Sequence, residues 1–267
     1  MIVDGRMLAE ALYSDIRTRT ALLERTVRLG IVTCAPNFET QKYLDLKKRK
    51  AVEVGIETEI TLLGNDATTG DIINAISALE SHTDGIIVQL PLPVPVNLET
   101  VIAHISPSHD VDALNSETTS IYSPVVGAIQ EILKVHNVDA KEKYVTIIGS
   151  GRLVGLPAYA WFQSVGAYVS VVTKDTIDIA YYTKNADIIV CGAGVPNLLT
   201  PLMVKEGVIV LDAGTSEEGG VLRGDADPRI AEKASLFTPV PGGIGPLTIA
   251  VLLRNVVELA EAKMTVV

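Results

Sequence analysis

Four consecutive basic residues, Lys47 to Lys50, interrupt a chain whose formal net charge is −10. Phased on a helix at about 100° per residue, they do not form one patch. Taking Lys47 as reference, Tyr43, Leu44, Ala51 and Val54 fall within roughly 60° of it. Lys42, Asp45, Lys48, Arg49 and Glu53 fall on the other side, and Lys50 lies at the margin, where a long side chain can reach water. Lys47 thus points out of an apolar stripe, one turn from Tyr43. A lysine so placed must be paired, carry a lowered pKa or border a cavity. A lowered pKa makes it a proton-transfer group. A lysine running from the helix to a rim shows the same pattern, and spacing alone leaves both readings open.

A second constellation lies at KYVTIIGSGRLVGLPAYAWF, residues 143–162, which reads as a buried strand, a glycine-rich turn and a helix. Gly149-Ser150-Gly151 begins like a dinucleotide fingerprint, but the third glycine comes late, at Gly155. Glycines let the backbone approach a pyrophosphate while the helix N-terminus supplies N–H groups and dipole. An ordinary βα turn has a similar composition. The next strand ends VVTKD, placing Thr173 and Lys174 where an NAD site carries an acid for the ribose hydroxyls. Lys174, with Arg152 in the turn, favours a 2′-phosphate and hence NADP over NAD. Asp175 is close by, and a solvated loop lysine is the alternative reading of Lys174.

These residues need a scaffold, and the pattern predicts an α/β one. IVTCA (31–35), ETEITLL (57–63) and DGIIVQL (84–90) read as strands, with helices between them at about 40–54 and 70–81. After a helical stretch at 121–138, a second series follows: KYVTIIG (143–149), AYVSVVT (167–173), ADIIVCG (186–192) and GVIVLDAG (207–214). Nearly continuous apolar runs suit parallel strands covered on both faces. The expectation is two α/β domains, the second Rossmann-like, with a C-terminal helix from about Pro246 returning to the first. That gives residues 1–116 plus 246–267 as one domain and 117–245 as the nucleotide-binding one, with a cleft between them.

Composition excludes other classes. The acidic balance argues against nucleic acid and anionic membrane as partners. Cys34 and Cys191 lie in separate apolar runs, so buried free thiols and a cytoplasmic location are the default. The four histidines show no metal-ligand spacing, and no metal is expected. The start, MIVDGRMLAEALYSDI, reads as an amphipathic helix rather than a signal peptide, and no apolar stretch is suited to crossing a bilayer.

Taken in order, YLDLK (43–47), DGIIVQLPLP (84–93), DVDALN (110–115), GSGRLVGLP (149–157) and TPVPGGIGPLT (238–248) resemble the bifunctional methylenetetrahydrofolate dehydrogenase/cyclohydrolase family over nearly the whole chain. The resemblance implies oxidation of 5,10-methylenetetrahydrofolate to the methenyl form with NADP, and hydrolysis of that form to 10-formyltetrahydrofolate. A monofunctional dehydrogenase is the alternative. It also implies that Lys47 is the catalytic lysine, Tyr43 its partner, Gln89 its modulating glutamine and Asp112 the carboxylate that grips the pterin. Tetrahydrofolate contacts are further expected at Tyr43, Val88, Leu90, Pro241, Gly242 and Gly243. Cofactor contacts are expected at Gly149, Ser150, Gly151, Arg152, Val154, Gly155, Thr173, Lys174, Ala193, Gly194, Gly214 and Thr215. A homodimer is the implied assembly. Two departures stand out: the family turn usually reads G-R-S or G-A-S where this chain has Gly149-Ser150-Gly151, and its DVDG is DVDA here, with Ala113.

Overall fold

The computed structural model describes residues 1–115, 117–118, 120–218 and 221–265. Helix α1 (Gly5–Leu22) leads into an alternation of β1 (Val27–Cys34), α2 (Phe38–Glu53), β2 (Ile56–Leu63), α3 (Thr69–Glu80), β3 (Gly85–Val88) and α4 (Leu98–His104). A second alternation comprises α5 (Pro124–Val135), β4 (Tyr144–Ile148), α6 (Gly155–Ser164), β5 (Tyr168–Val172), α7 (Ile179–Thr183), β6 (Ile188–Cys191) and β7 (Ile209–Asp212). The hairpin strands β8 (Ser216–Glu218) and β9 (Val221–Arg223), then β10 (Leu236–Phe237) and the long helix α8 (Ile244–Thr265), complete the chain. The chain divides into two compact units, and the expected α/β class holds in each.

One unit comprises Glu10–Ser123 and Ile249–Val267. Its three parallel strands run in the order β2-β1-β3, so β1 is central and almost wholly buried. Register pairs Cys34 with Leu63 and Val32 with Val88, which brings the carboxyl ends of the strands to one edge. Short polar residues start the helices. Asn37 accepts from the Thr40 amide at the head of α2, and Thr68 and Asp71 cap α3 reciprocally. At Gly30 a Cβ would lie 3.1 Å from the Leu79 side chain, so the glycine lets α3 press closely onto the sheet. The apolar layer there includes Val32, Ile72, Ile76, Leu79, Ile86 and Val88.

The other unit comprises Met1–Ala9 and Pro124–Thr248. Its five parallel strands run β10-β7-β6-β4-β5. From β4 the chain goes outward to β5, then crosses back to β6 on the other side of β4. The order therefore reverses between β4 and β6, which is where doubly wound sheets bind ligands outside their strand ends. Residues 1–9 group with this unit rather than with the first series, because Ile2 bridges Phe237 and the Val3 amide donates to Phe237 O at 2.9 Å.

Several bounds differ from the sequence expectation. Strand β1 begins at Val27, four residues before the expected start, since Arg28 is its one exposed position. The stretch at 121–138 becomes helix only over Pro124–Val135, with proline in its first turn. The short helices α4 and α7 and the β8–β9 hairpin were not anticipated; segments this short carry little periodicity.

Candidate functional site

Helix α2 places Lys47 as its phase predicts. Leu44, Ala51 and Val54 are buried beside it, Lys48 and Arg49 are exposed, and Lys47 itself is only 6% exposed. Its Nζ donates to Gln89 Oε1 at 3.0 Å and lies 5.1 Å from the centre of the Tyr43 ring. Tyr43 lies on the same stripe yet is 40% exposed, so it covers the lysine from the solvent side. Lys50 turns away to Glu10 and Glu53 and stacks over Tyr13, so the basic run serves two unrelated purposes.

Gln89 stands just past β3, where its backbone N–H extends the ladder to Val32 O at 2.9 Å. Its side-chain Nε2 donates to Leu90 O at 2.8 Å. That bond leaves Oε1, an acceptor, facing Lys47. Val88 ends β3 with its side chain buried in the core layer. Leu90 is half-buried and precedes the cis peptide bond to Pro91.

Asp112 sits on a loop that β3 and α8 hold from two sides. The Ile86 amide donates to His109 O at 2.6 Å, and Gly85 makes room for Val111, whose side chain a Cβ there would strike. From α8 the buried Asn255 donates to Val111 O and Tyr122 O, each at 2.9 Å. Asp110 Oδ2 accepts from the Asn115 amide at 2.7 Å and from Thr118 Oγ1 at 2.9 Å, closing the loop on itself. Ala113 adopts φ 50°, the left-handed region that favours glycine.

Electrostatics couple these groups. Burial lowers the Lys47 pKa, and the nearby Asp112 charge partly restores it. Burial raises the Asp112 pKa to about 6, against the pull of Lys47 and with a push from Asp110. The ammonium thus loses its proton more readily than a surface lysine does, which is the direction a general base requires.

In the other unit, the turn after β4 carries Gly149, Ser150, Gly151, Arg152, Val154 and Gly155. Gly149 adopts φ 99°, and a Cβ there would lie 2.6 Å from Gly192 O, so the turn lies directly against the loop after β6. At Gly155 a Cβ would strike Gly149 O: this late glycine does the close-packing work of the third glycine in the usual fingerprint. Nothing lies within 4 Å of a Cβ on Gly151, and Ser150 is exposed. Val154 packs on Gly192 and gives α6 no side-chain cap. Arg152 is half-buried. Thr173 and Lys174 close β5, with Thr173 Oγ1 accepting from the Asp175 amide at 3.3 Å and Lys174 exposed.

Ala193 and Gly194 follow β6, but their amides face inward. Asp225 accepts from the N–H groups of Ala193, Gly194 and Val195 at 2.6, 3.1 and 2.8 Å. The amides are committed to that carboxylate, so this loop is no phosphate nest. Gly214 and Thr215 follow β7, where Asp212 accepts from the Gly214 and Ala226 amides at 3.0 and 2.8 Å. Burial, then the Asp225 charge, pushes the Asp212 pKa up to about 7 against those bonds. Pro241, Gly242 and Gly243 form the turn after β10, with Val240–Pro241 cis and Gly242 at φ 109°. Gly5 anchors this turn: its amide donates to Gly242 O at 2.9 Å, and a Cβ would strike Gly243 O.

Sequence reasoning missed Asp110, Asn255, Asp212, Asp225 and Gly5. A buried polar residue inside an apolar helix, as at Asn255, was the available signal for one; the acids of GDADP (224–228) read as an ordinary loop. Among the described residues, no group of three or more His, Cys, Asp or Glu side chains could hold a metal ion, and no helix is long and apolar enough to cross a membrane.

Comparison with known proteins finds relatives over nearly the whole chain. Residues 3–112 match the catalytic-domain model of tetrahydrofolate dehydrogenase/cyclohydrolase, and residues 122–264 match its NAD(P)-binding domain. The bifunctional protein FolD of Hydrogenobaculum sp. is 36% identical over 98% of this chain and 99% of its own. The crystal structure of the bifunctional FolD from Campylobacter jejuni superposes with a TM-score of 0.95 at 32% identity, covering 98% of this chain and 99% of that one. A Trypanosoma brucei dehydrogenase-cyclohydrolase complexed with NADP cofactor and inhibitor gives a TM-score of 0.93 at 29% identity, over 99% and 98% of the two chains. The chain belongs to the tetrahydrofolate dehydrogenase/cyclohydrolase family.

Proposed function

We infer that the protein oxidises 5,10-methylenetetrahydrofolate to 5,10-methenyltetrahydrofolate with NADP and hydrolyses the methenyl form to 10-formyltetrahydrofolate. The observation that carries both halves into one chain is Lys47, buried with its Nζ on Gln89 and within the field of Asp112. A proton-transfer lysine held in this way, with Tyr43 and Gln89 beside it, argues against a monofunctional dehydrogenase.

In hydrolysis, neutral Lys47 takes a proton from water as the oxygen attacks the electrophilic amidinium carbon. The resulting ammonium gives that proton to the departing nitrogen as the carbon–nitrogen bond breaks, while the carbinol O–H releases its own proton to solvent, leaving the formyl group on the other nitrogen and one proton set free per cationic methenyl group. Gln89 holds Nζ at the reacting carbon through both steps, and Tyr43 shields it from bulk water. Asp112, when ionised, accepts two N–H bonds from the aminopyrimidinone edge and so fixes the pterin. Val88 through its backbone, and Leu90, complete that seat. Pro241, Gly242 and Gly243 are assigned to folate on the family likeness.

For oxidation, bound NADP accepts the hydride. The residues fit a dinucleotide: Gly151 leaves open space, the uncapped start of α6 offers its N–H end to a pyrophosphate, and Thr173, Lys174 and Arg152 suit a 2′-phosphate. Residues 1–116 plus 246–267 form the folate-binding domain and 117–245 the cofactor-binding one, with the first nine residues anchored on the latter's sheet. A homodimer in the cytoplasm completes the reading, supported by the family likeness and by two buried free thiols.

The test is an assay of both activities on the purified protein. NADP reduction with methylenetetrahydrofolate and cofactor-free decay of methenyltetrahydrofolate absorbance are both expected, with kcat/KM higher for NADP than for NAD. Oxidation without hydrolysis would leave the monofunctional reading.

A further inference from the structure

Asp225 is fully buried beneath the loop after β6, and three successive amides of that loop, from Ala193 to Val195, converge on its two oxygens at 2.6–3.1 Å. The loop residues themselves are exposed or half-buried, so the carboxylate supports from below a surface that faces solvent. Two glycines make the arrangement possible. A Cβ on Gly214 would strike the Asp225 carboxylate, and one on Gly224 would strike that of Asp212. Asp212 in turn accepts from Gly214 and Ala226 and is buried beside Thr238, whose Oγ1 accepts the Asp212 amide at 2.6 Å. Two loops, after β6 and after β7, are thereby tied to two neighbouring carboxylates. Both lie at the carboxyl end of the sheet, and the first adjoins the point where strand order reverses.

We propose that Asp225 is a positioning residue for the dehydrogenase reaction, holding the Ala193–Val195 loop with its amides turned inward so that its outer face is preformed for the dinucleotide. Three committed amides remove the loop's freedom to reorganise, and a preformed loop spares binding the ordering entropy it would otherwise lose. The inward amides also separate the two cofactor loops by chemistry: the turn at 149–155 meets phosphate, whereas the loop at 193–195 meets a neutral part of the ligand. The inference rests on the cofactor placement given above.

The test measures NADPH affinity by fluorescence in wild type, Asp225→Asn and Gly151→Asp, together with cofactor-free methenyl hydrolysis in Asp225→Asn. The side-chain amide introduced by Asp225→Asn turns an N–H towards backbone N–H groups, and loss of about one or two hydrogen bonds should weaken NADPH by roughly tenfold or more. Hydrolysis needs no cofactor and should stay within about twofold, a split that general unfolding would not produce. Unchanged NADPH affinity, or a parallel fall in both properties, overturns the proposal. Gly151→Asp adds charge and bulk in open space; if it leaves NADPH binding intact, the cofactor placement itself fails and the proposal with it. If Asp225→Asn does not fold, amide exchange in the wild type decides. The 193–195 amides should be protected without cofactor, and free exchange that slows only on NADP addition contradicts the proposal.

Discussion

Lys47 and Asp225 are both buried ionisable groups, one in each compact unit, and they are treated in opposite ways. Asp225 has three backbone donors and a glycine cut to fit its carboxylate. Lys47 donates one hydrogen bond to a neutral amide oxygen and has its pKa lowered by burial. A saturated buried group holds the backbone in place; an under-satisfied one keeps its proton labile. Burial alone therefore does not mark a reactive residue, whereas burial with few partners and a mobile proton does.

The largest effect should come from removing the labile group. Lys47→Met keeps the length and apolar stem, so the fold should survive, while methenyl hydrolysis falls by about 10³-fold, within the usual range for losing a positioned acid–base group. Absorbance decay of methenyltetrahydrofolate measures it; near wild-type hydrolysis would break the contrast between the two buried groups.

Asp112→Asn should have the next effect. Loss of a charge-assisted pair to the pterin is expected to raise the folate KM by about 30-fold. The same change removes the charge that props up the Lys47 pKa, so the hydrolysis pH profile should move to lower pH. Stability provides a second sign. Native Asp112 holds its proton to about pH 6, whereas an unfolded carboxyl releases it near pH 3.9. In that window the native state binds more protons, so this group's contribution to stability is present below the unfolded value and is lost as pH rises towards 6. Asp112→Asn should flatten that decline in a urea series across the window.

Much of this contrast was legible in the sequence, but on one side only. Helical phase alone separated Lys47 from Lys48 and Arg49, because a 3.6-residue period sorts side chains by face without tertiary information. The strand alternation and the glycine turn likewise depend on local spacing. Asp212 and Asp225 escaped, since apart from the local Gly214 amide their partners are backbone amides 14 and 30–32 residues away and no periodic signal joins them. Asn255 and Gly5 were hidden for the same reason: each makes its contact across a long stretch of chain. Tyr43 was placed on the correct stripe, but its exposure depends on where the helix meets solvent, which phase does not reveal.

The smallest effect sharpens the scaffold around Asp112. Ala113 adopts a left-handed conformation that disfavours a Cβ, so Ala113→Gly should stabilise the protein by about 1 kcal/mol, net of the entropy glycine adds to the unfolded chain. Thermal unfolding should rise by roughly 2–4 °C, with hydrolysis unchanged in rate; a lower Tm would show that the loop is held by something other than backbone fit.

The central claim concerns the proton on Lys47, and the most direct measurement is its titration by NMR in lysine-labelled protein, with the signal assigned by its loss in Lys47→Met. The expected pKa lies below the ordinary lysine value of about 10.4 and falls further in Asp112→Asn. A Lys47 that titrates at or above the ordinary value would contradict the account.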